Sequence, residues 1–355
     1  MTRPRQHHLR SLVPATALFA SSLAAAVAAA TSPTPVAAQS PVTPASGTVV
    51  VRLVPGTSDA SLSDGVLVEL ITLSDAGALE VQRAETNGGR AEFIAPADPT
   101  LTHLPRVIYA GVQYFGDPVL LSPALPEAEV AVRVYETTTE QPTLSVISTT
   151  VTVLTLDREA AMLTFVREDL VENSSDRVYV SLNAAGNTLR LPLPEGTRDA
   201  SGLNEEGKFV LGSGTLDTNV PLRPGVTSIV TRYTVSYDRA RDAYRLRVTA
   251  PLHTEHVEIR VPARFVSGLH ALDGTERAPD TELEGERILV ATSTDAAREG
   301  QGTLVELRGL HGSTASNPLT EGYGPLIATA LTLILFPAAV WGLSRTGRQR
   351  KEPSS

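Results

Sequence analysis

The chain has 355 residues, with 30 basic and 39 acidic side chains, a formal net charge of −9 and no cysteine. The missing cysteines exclude disulfides, thiol catalysis, thiolate metal sites and covalent haem attachment, so the folded parts must be held by packed apolar cores. The acidic balance repels phosphate backbones and anionic headgroups, which argues against a nucleic-acid partner.

The first 38 residues read as a signal peptide. Arg3, Arg5 and Arg10 form a positive n-region, residues 12–30 an alanine-rich apolar stretch, and Val36, Ala37 and Ala38 supply small residues for cleavage before Gln39. Cleavage after Ala30 is a second option. No cysteine follows to carry a lipid. Residues 31–46 are rich in Pro, Ser, Thr and Ala without apolar periodicity, which makes 39–45 a linker.

From Gly47 the pattern turns to short alternating runs separated by turn residues, the mark of antiparallel sheets. Val49, Val51 and Leu53 alternate with Val50 and Arg52; Val66, Val68 and Leu70 alternate with Leu67, Glu69 and Ile71. The segment 86–93, TNGGRAEF, places Asn-Gly between two runs and predicts a hairpin. Residues 106–115 read as one strand ended by Gly116-Asp117-Pro118, and 129–135 as the last strand of this unit. The opening Gly47-Thr48-Val49-Val50-Val51, the strand from Gly65 to Leu70, the Asn87-Gly88 turn and the strand with Tyr109, Val112 and Tyr114 together resemble the carboxypeptidase regulatory-like, or transthyretin-like, β-sandwich. The resemblance covers residues 46–137. It implies a seven-stranded sandwich that serves as an adaptor or spacer, and the proline-bearing stretch 116–129 departs from a tight version of it.

A second, larger β-sandwich is expected over 142–312. Its clearest hairpin is 227–248: Thr227, Ile229, Thr231, Tyr233, Val235 and Tyr237 share one face, 238–243 make the turn, and Tyr244, Leu246 and Val248 return. Further strands are expected at 144–155, 162–172, 177–182, 188–193, 256–262, 286–291 and 303–309, eight or nine in all. Residues 159–172 have helix-like charges, but Leu163, Thr164, Phe165 and Val166 lead into the turn Asn173-Ser174-Ser175-Asp176 and favour a strand.

The search for chemistry yields no catalytic, cofactor-binding or metal-ligating residues. His253 and His256 stand three apart, a metal-ligand spacing on a helix, but they adjoin the alternating run Val257, Ile259, Val261, and on a strand they point to opposite faces. The pairs Glu168-Asp169 and Glu205-Glu206 offer acid–base chemistry in principle and read more simply as a solvated face. Gly212-Ser213-Gly214 is a turn, with no histidine and acid marked as partners for the serine. Asn173-Ser174-Ser175 fits a glycosylation sequon in a chain that reads as bacterial.

After a polar stalk at 313–324, residues 325–343 form an uncharged apolar run. At about 1.5 Å per residue it spans roughly 29 Å, the thickness of the bilayer's hydrocarbon. Tyr323 and Trp341 flank this anchor, Pro325 opens it and Pro337 kinks it. Arg345, Arg348, Arg350 and Lys351 in the tail 344–355 set the topology, with this end cytoplasmic. Setting aside the three n-region arginines, these four cations and Glu352 leaves 23 basic and 38 acidic residues outside, net −15. Asn317-Pro318-Leu319-Thr320-Glu321 before the run resembles a sortase sorting signal, with Glu321 departing from the pattern. The expectation is an all-β protein of two tandem antiparallel β-sandwich domains, immunoglobulin-like or transthyretin-like, with one C-terminal transmembrane helix. It would bind a protein partner at the membrane and carry no cofactor. An extracytoplasmic hydrolase and a surface-attached adhesin or carbohydrate-binding protein are the alternatives.

Overall fold

The computed structural model describes residues 45–182 and 186–311. Within them the chain is all-β, with sandwich-type packing of sheets and no helix. The expected signal peptide and stalk, the residues expected to anchor the chain (Tyr323, Pro325, Pro337 and Trp341) and those expected to set its topology (Arg345, Arg348, Arg350 and Lys351) lie outside the described residues. No helix among the described residues is long and apolar enough to cross a membrane.

Eight strands come first: β1 (Ser46–Pro55), β2 (Leu67–Ser74), β3 (Gly77–Glu85), β4 (Arg90–Pro96), β5 (Thr102–Tyr109), β6 (Val112–Phe115), β7 (Val119–Leu120) and β8 (Glu127–Val134). They form two sheets, β4-β1-β8 and β3-β2-β5-β6, with β7 pairing β5. Every second residue of β1 (Val49, Val51, Leu53) points inward to meet Val68 and Leu70 of β2, Phe93 of β4 and Val107 of β5 in one apolar cluster. The β1–β8 pair is parallel, where alternation alone suggested antiparallel sheets throughout.

Two turn expectations need correction. Asn87 and Arg90 exchange backbone hydrogen bonds around Gly88 and Gly89, both at positive φ, so the two-residue turn is real. The flanking strands nevertheless diverge: β3 pairs β2 and β4 pairs β1 in the opposite sheet. Residues 106–115 are a hairpin, not one strand, because Ala110 (φ 49°) and Gly111 (φ 79°) reverse the chain between β5 and β6.

After β9 (Thr137–Thr138) come fourteen strands where eight or nine were expected. They are β10 (Leu144–Asp157), β11 (Met162–Asn173), β12 (Val178–Tyr179), β13 (Leu189–Pro192), β14 (Thr197–Gly202), β15 (Phe209–Leu211), β16 (Thr215–Thr218), β17 (Gly225–Ser236), β18 (Ala243–Thr249), β19 (Thr254–Pro262), β20 (Gly268–Ala271), β21 (Thr275–Leu283), β22 (Glu286–Ser293) and β23 (Gly302–Arg308). The segment from Met162 is a strand, as its β-branched run favoured. A seven-stranded sheet, β14-β17-β11-β10-β19-β22-β21, carries two three-stranded sheets, β18-β23-β20 and β13-β16-β15. The first covers a large core built around Phe165, Tyr233, Ile259, Leu246 and Leu307; the second covers a smaller one around Val171, Leu191, Leu216 and Ile229. Phe165 and Tyr233 stack with centroids 5.2 Å apart.

The expected 227–248 hairpin is absent. Ile229, Tyr233, Val235, Leu246 and Val248 all point inward as expected, but β17 pairs β11 and β14 while β18 pairs β23 in the facing sheet. The connection is an arch across the core, which brings the two apolar faces together instead of aligning two edges. β10 and β19 are again parallel.

Candidate functional site

The first eight strands and the large sheet region meet in a joint built from three local features. The turn after β11 sends Val178 of β12, fully buried, into the core of the first eight strands. Burying a valine there contributes about 1.5–3 kcal/mol. β12 also pairs β9 in parallel and bridges Leu222 through Tyr179. Beside it, Asp176 accepts from Ser58 N–H at 2.8 Å, a bond that holds its carboxyl below the usual carboxylate range, while its carbonyl accepts from Thr57 Oγ1 at 2.8 Å. Thr57 Oγ1 in turn accepts from Glu136 N–H at 2.9 Å, and Glu136 accepts from the Tyr109 hydroxyl at 2.5 Å. That hydrogen bond, with burial, pushes the Tyr109 phenol up to about 12.

The third feature caps an edge. β6 ends its sheet, and in the β5–β6 pairing the backbone of Gln113 faces away from β5. Arg223 Nη2 donates to the Gln113 carbonyl at 2.7 Å and Glu206 accepts from the Gln113 N–H at 3.4 Å. Arg223 and Glu206 are ion-paired with each other. The guanidinium also lies over the Tyr114 ring, 5.6 Å from its centroid. Burial pushes that phenol up to about 12 although Arg223 pulls the other way. Two side chains thus replace the strand that would otherwise pair here. Between the two halves lies an open cleft of about 330 Å³, lined among others by Phe115, Glu205, Glu206, Arg223, Val226 and Ser228.

A second polar feature is wholly internal. The odd-numbered residues of β11 share one face: Leu163 and Phe165 enter the large core, Val171 the small one, and Arg167 and Asp169 fall in the seam between them. The pair is bidentate at 2.7 and 2.8 Å, with side-chain exposures of 3% and 0%. Asp169 also accepts from Thr149 Oγ1 at 2.6 Å. Arg167 donates to the carbonyls that end β13 (Pro192, 3.2 Å) and β18 (Thr249, 3.3 Å), so it ties both covering sheets to the large one. Burial pulls the guanidinium pKa down, but the charge and hydrogen bonds of Asp169 leave it raised.

The Glu168-Asp169 pair is therefore not a solvated face. Neighbours on a strand point to opposite sides: Asp169 is buried with Arg167, while half-buried Glu168 accepts from Ser228 Oγ at 2.7 Å. Burial holds the Glu168 carboxyl above its ordinary range. Of Glu205 and Glu206, Glu206 is taken by Arg223. His253 and His256 are both exposed, and among the described residues no three candidate ligands converge on a metal position. Sequence reasoning missed Arg167, although two charges on the inward phase of an apolar strand were a readable signal.

No family model matches the chain, and no curated relative does. Among solved structures, an M1 zinc metallopeptidase from Deinococcus radiodurans is similar at 15% identity over 47% of this chain, with a TM-score of 0.29. The matched part spans 42% of that peptidase. The major pilin SpaA of Corynebacterium diphtheriae is similar at 11% identity over 75% of this chain and 84% of the pilin, with a TM-score of 0.21. Likeness this distant carries no argument about activity.

Proposed function

We propose that this protein is a non-catalytic scaffold of the bacterial cell envelope. Two tandem β-sandwich domains, 46–137 (transthyretin-like) and 142–312, would stand outside the membrane on the span 325–343 and hold a protein partner. The joint carries this reading: a buried valine, a strand pair, the Asp176 bonds and the Arg223–Glu206 cap couple the two halves as one body. The chain enters the large sheet at Leu144, the first residue of β10, while the last described strand, β23 of a covering sheet, ends at Arg308. Just beyond it the Leu310 carbonyl accepts from Arg158 Nε at 2.8 Å, past the other end of β10. The 14-residue β10 alone covers roughly 45 Å of that distance. A stiff body fixed at its C-terminal end displays its first sandwich far from the bilayer, which suits an adaptor better than a pocket enzyme.

The test is in-cell crosslinking, purification of the full-length chain in mild detergent, and mass spectrometry. The expected result is a stoichiometric envelope partner that is lost when residues 46–312 are replaced by an unrelated sandwich. Absence of any stoichiometric partner overturns the reading. An extracytoplasmic hydrolase has one observation on its side, the raised carboxyl of Glu168 bonded to the cleft residue Ser228. Hydrolysis that disappears in Glu168→Gln would favour it.

A further inference from the structure

Strands that end a sheet expose unpaired backbone groups, and three of those here are visibly blunted. β21 carries Pro279, a bulge, and Asp280 paired with Arg277 and Arg287. β4 has its Ile94 carbonyl occupied by Gln82 Nε2 at 2.9 Å, and β6 has the Arg223–Glu206 cap. β3 is different. It has nine residues without proline or lysine and is exposed along most of its length, with Leu79 at 61% and Val81 at 42%.

The backbone phase of β3 follows from two hydrogen bonds. Gly116 N–H donates to the Pro105 carbonyl, so odd residues of β5 face β6 and even ones face β2. Carried across β2 by its register, the alternation turns even residues of β3 toward β2, and Thr86 N–H to Val66 carbonyl fits that phase. The N–H and C=O groups of Val81, Arg83 and Glu85 therefore point off the sheet. Their side chains lie on the outer face, in rows that run across three strands. One row is Leu104–Ile71–Val81, apolar throughout; the next is Arg106–Glu69–Arg83, alternating in charge. Arg83 uses Nε for Glu69 at 2.9 Å, is 65% exposed, and has no second acid among the described residues.

We propose that the free edge of β3 accepts an extended segment of a partner protein by antiparallel strand addition, with an acidic side chain opposite Arg83 and an apolar one opposite Val81. Charge complementarity selects the occupant, because the +/−/+ row calls for a carboxylate as its next member. A second copy of β3 meets only half of this requirement. The register that sets Glu85 against Arg83 leaves Asn87, beyond the strand, against Val81, and Glu80 lies on the other face. Residues 1–44 contain no acidic side chain at all. The proposal rests on the scaffold reading for the existence of a partner, and its chemistry is tested separately.

The probe is the fluorescein-labelled peptide Thr-Lys-Thr-Glu-Thr-Val-Thr, titrated by anisotropy against the full-length protein in detergent. Saturable binding is expected, weakened at least about fivefold when the peptide's Glu becomes Lys. Val81→Pro removes an outward N–H without touching the β2 ladder and should abolish binding. Arg83→Glu should reverse the preference between the two peptides. No saturation up to about 1 mM, equal binding by Val81→Pro, or no reversal by Arg83→Glu overturns the proposal. In the crosslinking experiment, a partner retained by Val81→Pro defeats the edge site but leaves the scaffold reading standing. Peptide binding without any cellular partner does the reverse.

Discussion

Replacing Asp169 with alanine removes the counter-charge of an arginine that has 3% of its side chain exposed. Arg167 would keep its bonds to Pro192 and Thr249 but lose both bonds to the carboxylate, and Thr149 would lose its acceptor. Leaving one member of a buried pair uncompensated costs about 3–5 kcal/mol. For a folded region of this size, roughly 2–4 °C per kcal/mol turns that into a fall in Tm of about 6–20 °C. Thermal and urea melts of the 45–311 segment, followed by far-ultraviolet circular dichroism, measure it directly. Arg167→Met should cost a similar amount, and the double variant Arg167→Met/Asp169→Ala should fall short of the summed singles by about 0.5–3 kcal/mol. A loss below about 1 kcal/mol for Asp169→Ala, the range of an exposed pair, would refute the idea that the seam is desolvated. Strict additivity of the singles would refute the idea that the two side chains act as a unit.

Burial raises the folded-state pKa of Glu168, so its contribution to stability is fully present below the ordinary carboxylate range and is lost as pH rises through the folded value. Glu168→Gln should therefore be more stable than the parent chain at pH 7, with the gap closing near pH 4, as read from Tm at the two pH values. Tyr109 follows the same sign at the alkaline end: its phenol should stay protonated to about pH 12 and be missing from a 295 nm titration step near 10. Gly47→Ala should destabilise by about 1–3 kcal/mol in a urea melt, since a Cβ there would collide with the Pro126 carbonyl oxygen, which cannot swing away. Arg223→Ala should speed hydrogen exchange at the Gln113 amide by about tenfold or more while leaving core amides such as Val51 unchanged.

Inward faces were readable from the sequence, and pairing partners were not. Val49, Val51 and Leu53, or Ile229, Tyr233 and Val235, point into cores because alternation reports which side of a strand is dry. The same alternation fits a hairpin and an arch equally well, and so both the Asn87 turn and the 237–242 connection were assigned to hairpins. β14, β15, β20 and β21 are short or exposed, with too few apolar residues to show a period. At the joint, the expected strand at 177–182 does appear in part as β12, but nothing local says which core Val178 fills, since that core lies more than forty residues upstream. The Arg223–Glu206 cap depends on a neighbour that only the tertiary arrangement supplies.

The placement of Val178 also sets an order of assembly. β1 can pair with β8 only after about eighty residues have emerged, and closing a loop of that length is slow before any contact rewards it. Even then the first core lacks a side chain supplied by the turn after β11. A chain emerging N-terminus first reaches Val134 with its first core still open, and fills it only when β12 arrives together with the opening strands of the large sheet. Shortened forms that stop before Val178 should accordingly be prone to aggregation, and the two halves should melt in one transition rather than two.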